Sequence, residues 1–167
     1  MSNISDLVKN AGGPHMIGIL KSSITDSDQN IFMVNALHQL SSTSTQSCLF
    51  CDEIPANTIT SIHTNIFPRI QVFYCNDILI TDDLTEAQSL PHIPNAKKRF
   101  IYLYHLEWPY IENLHFHQIE PILLNDNIEL IARSDSHAKL ISDLFKTPKY
   151  IMPEWDYQTL IEIDNNE

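Results

Sequence analysis

Short apolar runs of strand length recur along the chain and limit what it can fold into. They are MIGIL (16–20), CLFC (48–51), DILIT (77–81), RFIYLYH (99–105), IELIA (128–132) and KYIM (149–152). Between several of them the apolar residues take up a helical period. Ile31, Phe32, Val34, Ala36, Leu37 and Leu40 predict a helix over 29–40, and Ala138, Leu140, Ile141, Leu144 and Phe145 predict the core face of another over 134–145. A shorter helix is expected over 84–90, capped by Thr81 or Asp82. Strands apolar on both faces need cover on both faces, and helices that alternate with them supply it; this is the pattern of a parallel sheet. The predicted fold is therefore a single doubly wound, Rossmann-like α/β domain, mostly parallel, with helices on both faces. IQVFYC (70–75) reads as a further buried strand, TITSIH (58–63) as an exposed one, and PYIENLHFHQIEPILLN (109–125) as a short helix that stops near Pro121.

A chain of 167 residues makes one ordinary domain, large enough to bury roughly two thirds of the surface it exposes when unfolded. We assign that domain to 16–156. Residues 1–15 end in Gly-Gly-Pro-His, and the dipeptide His15-Met16 is of the kind a cloning site encodes, so they read as a tag or leader; 157–167 read as an acidic tail. The formal charge of −11 argues against binding to a nucleic-acid backbone, because that requires a basic patch to displace counterions. The basic run Lys97-Lys98-Arg99 is a solvated strand entry. Three cysteines and no signal peptide indicate a reducing, cytoplasmic setting. No apolar stretch approaches the ~20 residues of a membrane span.

In parallel sheets of this kind the ligand crevice lies beyond the carboxyl ends of the strands. The residues after each predicted strand are polar: Ser22, Ser23 and Thr25; Asp52 and Glu53; Asp82 and Asp83; His105, Glu107 and Trp108; Ser134 to His137; and Glu154, Trp155 and Asp156. Parallel strands would bring these sets to one rim. Asp28, Asp82 and Ser134 also stand where helix N-caps belong, whereas His105, Glu107 and Trp108 fall on one turn and are less readily explained by capping. The loop after the first strand, KSSITDSDQN, has no glycine, so neither a dinucleotide fingerprint nor a phosphate-binding loop is present there. There is no Gly-x-Ser-x-Gly elbow either, and no cofactor is expected. Cys48 and Cys51 have C-x-x-C spacing without a second pair and read as core thiols. His115 and His117, with His105 and Asp82, are the set a metal-dependent hydrolase would use; the helical look of the region argues against it.

The order of NDILITDD (76–83), RFIYLYHLEW (99–108), IELIARSDSHAKLI (128–141) and YIMPEWD (150–156) resembles the N-terminal domain of GT-B type glycosyltransferases, including the phage enzymes that glucosylate modified DNA bases. The resemblance implies an acceptor-binding domain in which His105 or Glu107 is the general base. It makes Trp108 a stacking platform, and Ser134 and His137 the groups that orient the acceptor; Ser22, Asp82 and Glu154 complete the predicted substrate contacts. It also implies a sugar or nucleotide-sugar ligand and a donor-binding domain that this sequence does not contain. Activity would then require a partner chain or a homodimer across the rim. The alternative is a non-catalytic, acidic protein–protein interaction module.

Overall fold

The computed structural model describes residues 16–54, 62, 64–105 and 116–166. Its seven strands are β1 (Met16–Leu20), β2 (Gln46–Phe50), β3 (Asn65–Phe67), β4 (Ile78–Thr81), β5 (Lys98–Leu103), β6 (Glu129–Ala132) and β7 (Tyr150–Ile151). Five α-helices are described: α1 (Asp28–Leu40), α2 (Leu84–Ala87), α3 (Phe116–Leu123), α4 (Asp135–Leu144) and α5 (Tyr157–Asn165). The strands form one sheet in the order β3-β2-β1-β4-β5-β6-β7, and every pairing is parallel. The chain runs outward from β1 to β3, then returns to the other side of β1 as β4. That reversal places the crevice of the sheet between the carboxyl ends of β1 and β4.

Alternation along the strands divides the core into two layers. Ile17, Ile19, Leu49, Ile80 and Tyr102 face α1, α5 and the 3-10 turn Pro153–Trp155. Leu20, Cys48, Phe50, Leu79 and Leu103 face α2, α3, α4 and the 3-10 turn Arg69–Tyr74. Cys48 and Cys51 are buried in opposite layers, as core thiols on a strand should be. Burial pushes the Cys48 thiol up, and that of Cys75 to about 11, so neither is a ready thiolate.

Several expectations need correction. The helix after β4 spans Leu84–Ala87 and not 84–90, and Asp83, neither Thr81 nor Asp82, caps it, while Ser27 and not Asp28 caps α1. IQVFYC is not a strand. Pro68, which has no N–H to give a ladder, ends β3 at Phe67, and the chain winds into a 3-10 turn that buries Val72 while leaving Ile70 70% exposed. Residues 157–165 are not a tail: Asp156 caps α5 by accepting from the Thr159 N–H at 2.9 Å, and Leu160 and Ile163 are buried. Leu140 and Leu144 lie outside the core; α4 buries Ile141 and rests Ala138 and Phe145 on that layer. Pro121 does not stop α3, which runs on to Leu123. Most of TITSIH lies outside the described residues.

Gly18 sits mid-strand in β1, between Cys48 of β2 and Leu79 of β4. A Cβ there would meet Phe50 Cε2 at 2.8 Å and Cys75 Sγ at 3.2 Å, which real packing does not tolerate without movement. Gly18→Ala is expected to destabilise the protein by about 1–3 kcal/mol through overpacking, measured by urea unfolding. A loss below about 0.5 kcal/mol would show that the Phe50 ring yields freely and that β1 does not require glycine.

Candidate functional site

A cleft of about 290 Å³ opens at the crevice between β1 and β4. The loop joining β1 to α1 supplies the hydroxyls of Ser22, Ser23, Thr25 and Ser27, and the first turn of α1 supplies the amides of Gln29 and Asn30. Asp82 and Asp83 enter from the end of β4, and His105 from beyond β5. The loop is pinned to the sheet by backbone bonds, Lys21 N–H to the Phe50 carbonyl and Ile24 N–H to the Glu53 carbonyl, each 3.0 Å.

The floor is a buried ion pair. β1 and β4 align Leu20 with Thr81, so the next residues, Lys21 and Asp82, leave the sheet side by side. Lys21 Nζ lies 2.8 Å from Asp82 Oδ1, an ionic contact that is not an aligned hydrogen bond. It donates to Asn30 Oδ1 at 2.8 Å. Gln29 Nε2 donates to Asp82 Oδ2 at 2.5 Å, and Asn30 donates to both the carbonyl and the hydroxyl of Thr25 at 3.0 Å. The Asp82 side chain is fully buried and that of Lys21 is 9% exposed, so each charge depends on the other for compensation. Above them Ser22 Oγ donates to Asp83 Oδ2 at 2.6 Å, while Asp83 Oδ1 accepts from the Thr85 and Glu86 N–H groups and caps α2.

Ser22, Asp82 and His105 are thus brought to one cleft. Glu154 is on the same rim but lines an adjoining cleft, of which His105 also forms part. It adopts left-handed backbone (φ 48°), as does Trp155 (φ 58°), and its carboxylate lies 3.1 Å from Arg133 Nη2. Arg133 in turn lies over the Tyr104 ring, 4.3 Å from its centre. Ser134 caps α4 by accepting from the His137 N–H at 3.3 Å, and its hydroxyl lies 3.0 Å from that of Ser136; neither Ser134 nor His137 lines the β1/β4 cleft. Glu107, Trp108 and His115 lie outside the described residues. Among the described residues no group of three or more His, Cys, Asp or Glu side chains is placed to hold a metal ion. Among them, too, no helix is long and apolar enough to cross a membrane.

No protein-family model, curated protein or solved structure matches the chain. The site is therefore read from its own geometry. Sequence reasoning missed Lys21, Gln29, Asn30 and Arg133. The signal for the first was a lysine and an aspartate each one residue beyond a strand end, and it becomes readable only when β1 and β4 are known to be neighbours.

Replacing Lys21 by Met strands the Asp82 carboxylate in a buried site. We expect a loss of about 3–5 kcal/mol in urea unfolding, and expect the double variant Lys21→Met/Asp82→Leu to recover most of it. A Lys21→Met protein within about 1 kcal/mol of the parent would show that the pair is dispensable.

His137 is held below the ordinary imidazole range, first by burial and then by the nearby charges of Arg133 and His105. The folded state therefore binds this proton more weakly than the unfolded state. The stabilisation is complete above about pH 6.5 and is lost as the pH falls through the lower folded-state value. The melting temperature of the parent protein should drop more steeply between about pH 7 and pH 5 than that of His137→Gln. Parallel curves would remove His137 from the pH response.

Proposed function

We propose that the chain binds a neutral polyhydroxylated ligand, a sugar, in the β1/β4 cleft, and acts as the acceptor-side domain of a GT-B type glycosyl transfer. The observation that carries this reading is a crevice walled by hydroxyls and carboxamides over a charge pair that neutralises itself. Such a wall offers alternating donors and acceptors to hydroxyl groups. It is a poor host for a diphosphate. Lys21 is committed to Asp82 and Asn30. Ser27 caps α1, Asp28 stands in its first turn, and Asp83 adds a further carboxylate. At the helix N-terminus that usually receives phosphate, the Ser27 hydroxyl takes the Asn30 N–H and Asp28 sets a carboxylate beside it, which disfavours an anion.

In this reading His105, exposed at the mouth of the cleft, takes the proton of the acceptor hydroxyl as its oxygen attacks the anomeric carbon of a nucleotide-sugar donor, whose bond to the nucleoside diphosphate breaks and releases that group. The donor is held by another domain or subunit, and Glu107 and Trp108 retain the roles the resemblance gives them. Saturation-transfer NMR with a panel of neutral sugars and with UDP-glucose tests the assignment. Neutral sugars should give signal from the sugar ring, and the nucleotide sugar should bind no better than its sugar alone. Ser22→Ala and Thr25→Val should each weaken binding about 3–10-fold, the worth of one hydrogen bond.

Absence of binding to every sugar would return the chain to the second reading, a protein-binding module. The surface that favours that reading is the 3-10 turn beside β3, where Ile70, Phe73 and Tyr74 are exposed.

A further inference from the structure

The two clefts on the carboxyl rim are not independent. The second, of about 360 Å³, shares Ser27, Gln29 and His105 with the first. Alone, the first stands near the lower end of the range for small-molecule pockets, roughly 300–1,000 Å³. Together they form a groove running from the crevice of the sheet to the ends of β6 and β7, with His105 at the junction.

The walls of the second cleft differ from those of the first. Arg133 sits over the face of the Tyr104 ring, its Cζ 4.3 Å from the ring centre, so a ligand meets the guanidinium in place of that face. Glu154 holds that guanidinium from one side at 3.1 Å, and the left-handed backbone at Glu154 and Trp155 sets the position of the carboxylate. Asp28 and Phe32 also line this cleft. The Arg133 side chain is 32% exposed and that of Glu154 is 49% exposed, so both retain hydrogen-bonding capacity toward the groove. Two carboxylates to accept from hydroxyls, a guanidinium to donate to ring or hydroxyl oxygens, and the apolar Phe32 make a set suited to a second pyranose. Over both clefts Asp28, Asp82, Asp83 and Glu154 outnumber Lys21 and Arg133, which disfavours a phosphate in the second as in the first.

We infer that the groove takes an oligosaccharide, with one ring between β1 and β4 and the adjacent ring against Arg133 and Glu154. This rests on the sugar-binding reading and narrows it from a single sugar to a chain of at least two. His105 then stands where the two rings join.

The test is binding of the full chain to an array of immobilised mono-, di- and trisaccharides, repeated with Arg133→Met and Asp28→Asn. Asp28 is exposed and lines the second cleft only, so its variant serves if Arg133→Met unfolds the protein. The expected result is retention of glycans with two or more rings at least 10-fold above their single-ring components, with that advantage falling at least 3-fold in either folded variant. Equal retention of single sugars and their disaccharides would overturn the two-ring groove and leave sugar binding intact. An advantage unchanged in both variants would do the same. Retention of no glycan would overturn both.

Discussion

The crevice of this fold depends on the ion pair between Lys21 and Asp82. Two charges that leave adjacent parallel strands at the same level must either be solvated or satisfy each other. Here they meet beneath the first turn of α1, whose Gln29 and Asn30 supply the remaining partners. The pair therefore ties α1 to β1 and β4, two strands already joined by the sheet ladder. It also sets the chemistry of the cleft above, since Lys21, the one Lys or Arg among the described residues lining it, is spent on the protein itself. Buried pairs of this kind contribute little net stability and are costly to break. What this one supplies is definition: it fixes where Gln29, Asn30 and Asp82 point.

The sheet was legible because its signal is local. Runs such as MIGIL and RFIYLY are apolar on both pleats, and only a sheet covered on both sides can absorb them. The errors fell where one apolar run suits two conformations. IQVFYC has the composition of a strand, but Pro68 ends the ladder just before it, and the spacing of buried Val72 and Cys75 is that of a 3-10 turn. In the C-terminal segment the acidic residues obscured the pair Leu160 and Ile163, although Asp156 ahead of them is an ordinary helix cap. Leu140 and Leu144 fit a helical period yet stay exposed, because α4 covers the sheet with the neighbouring stripe through Ile141.

The site was only partly legible, for a different reason. Ser22, Asp82 and His105 could be placed on one rim from the assumption of parallel strands alone. Lys21 could not be paired with Asp82 from that assumption, because the pairing requires β4 to return beside β1. Arg133 likewise gains its meaning from non-local neighbours, Tyr104 beneath it and Glu154 beside it. The left-handed backbone at Glu154 and Trp155 has no glycine to announce it. Such conformations cost about 1–3 kcal/mol each and persist where packing over-determines them. The packing here is Trp155, buried against Tyr102 with ring centres 5.0 Å apart, and the Tyr102 hydroxyl donating to the Met152 carbonyl at 2.5 Å.

These features bear on the ligand proposed for this crevice. In open α/β sheets the crevice binds phosphates through two devices, a glycine-rich turn that lets backbone N–H groups approach and an unsatisfied helix N-terminus. Between β1 and α1 the first is absent and the second is weakened. The turn is replaced by a loop of hydroxyl side chains, and the N-terminus of α1 is closed by Ser27 with Asp28 beside it. Each replacement removes an electrostatic reason for an anion to bind and adds a hydrogen-bonding group that a neutral ligand can use. The strand order still delivers a crevice at the same place, because that follows from topology. Which ligand enters it is decided by side chains at the strand ends, and under the proposed reading the described ones from Ser22 to Glu154 take hydroxyls in preference to phosphate.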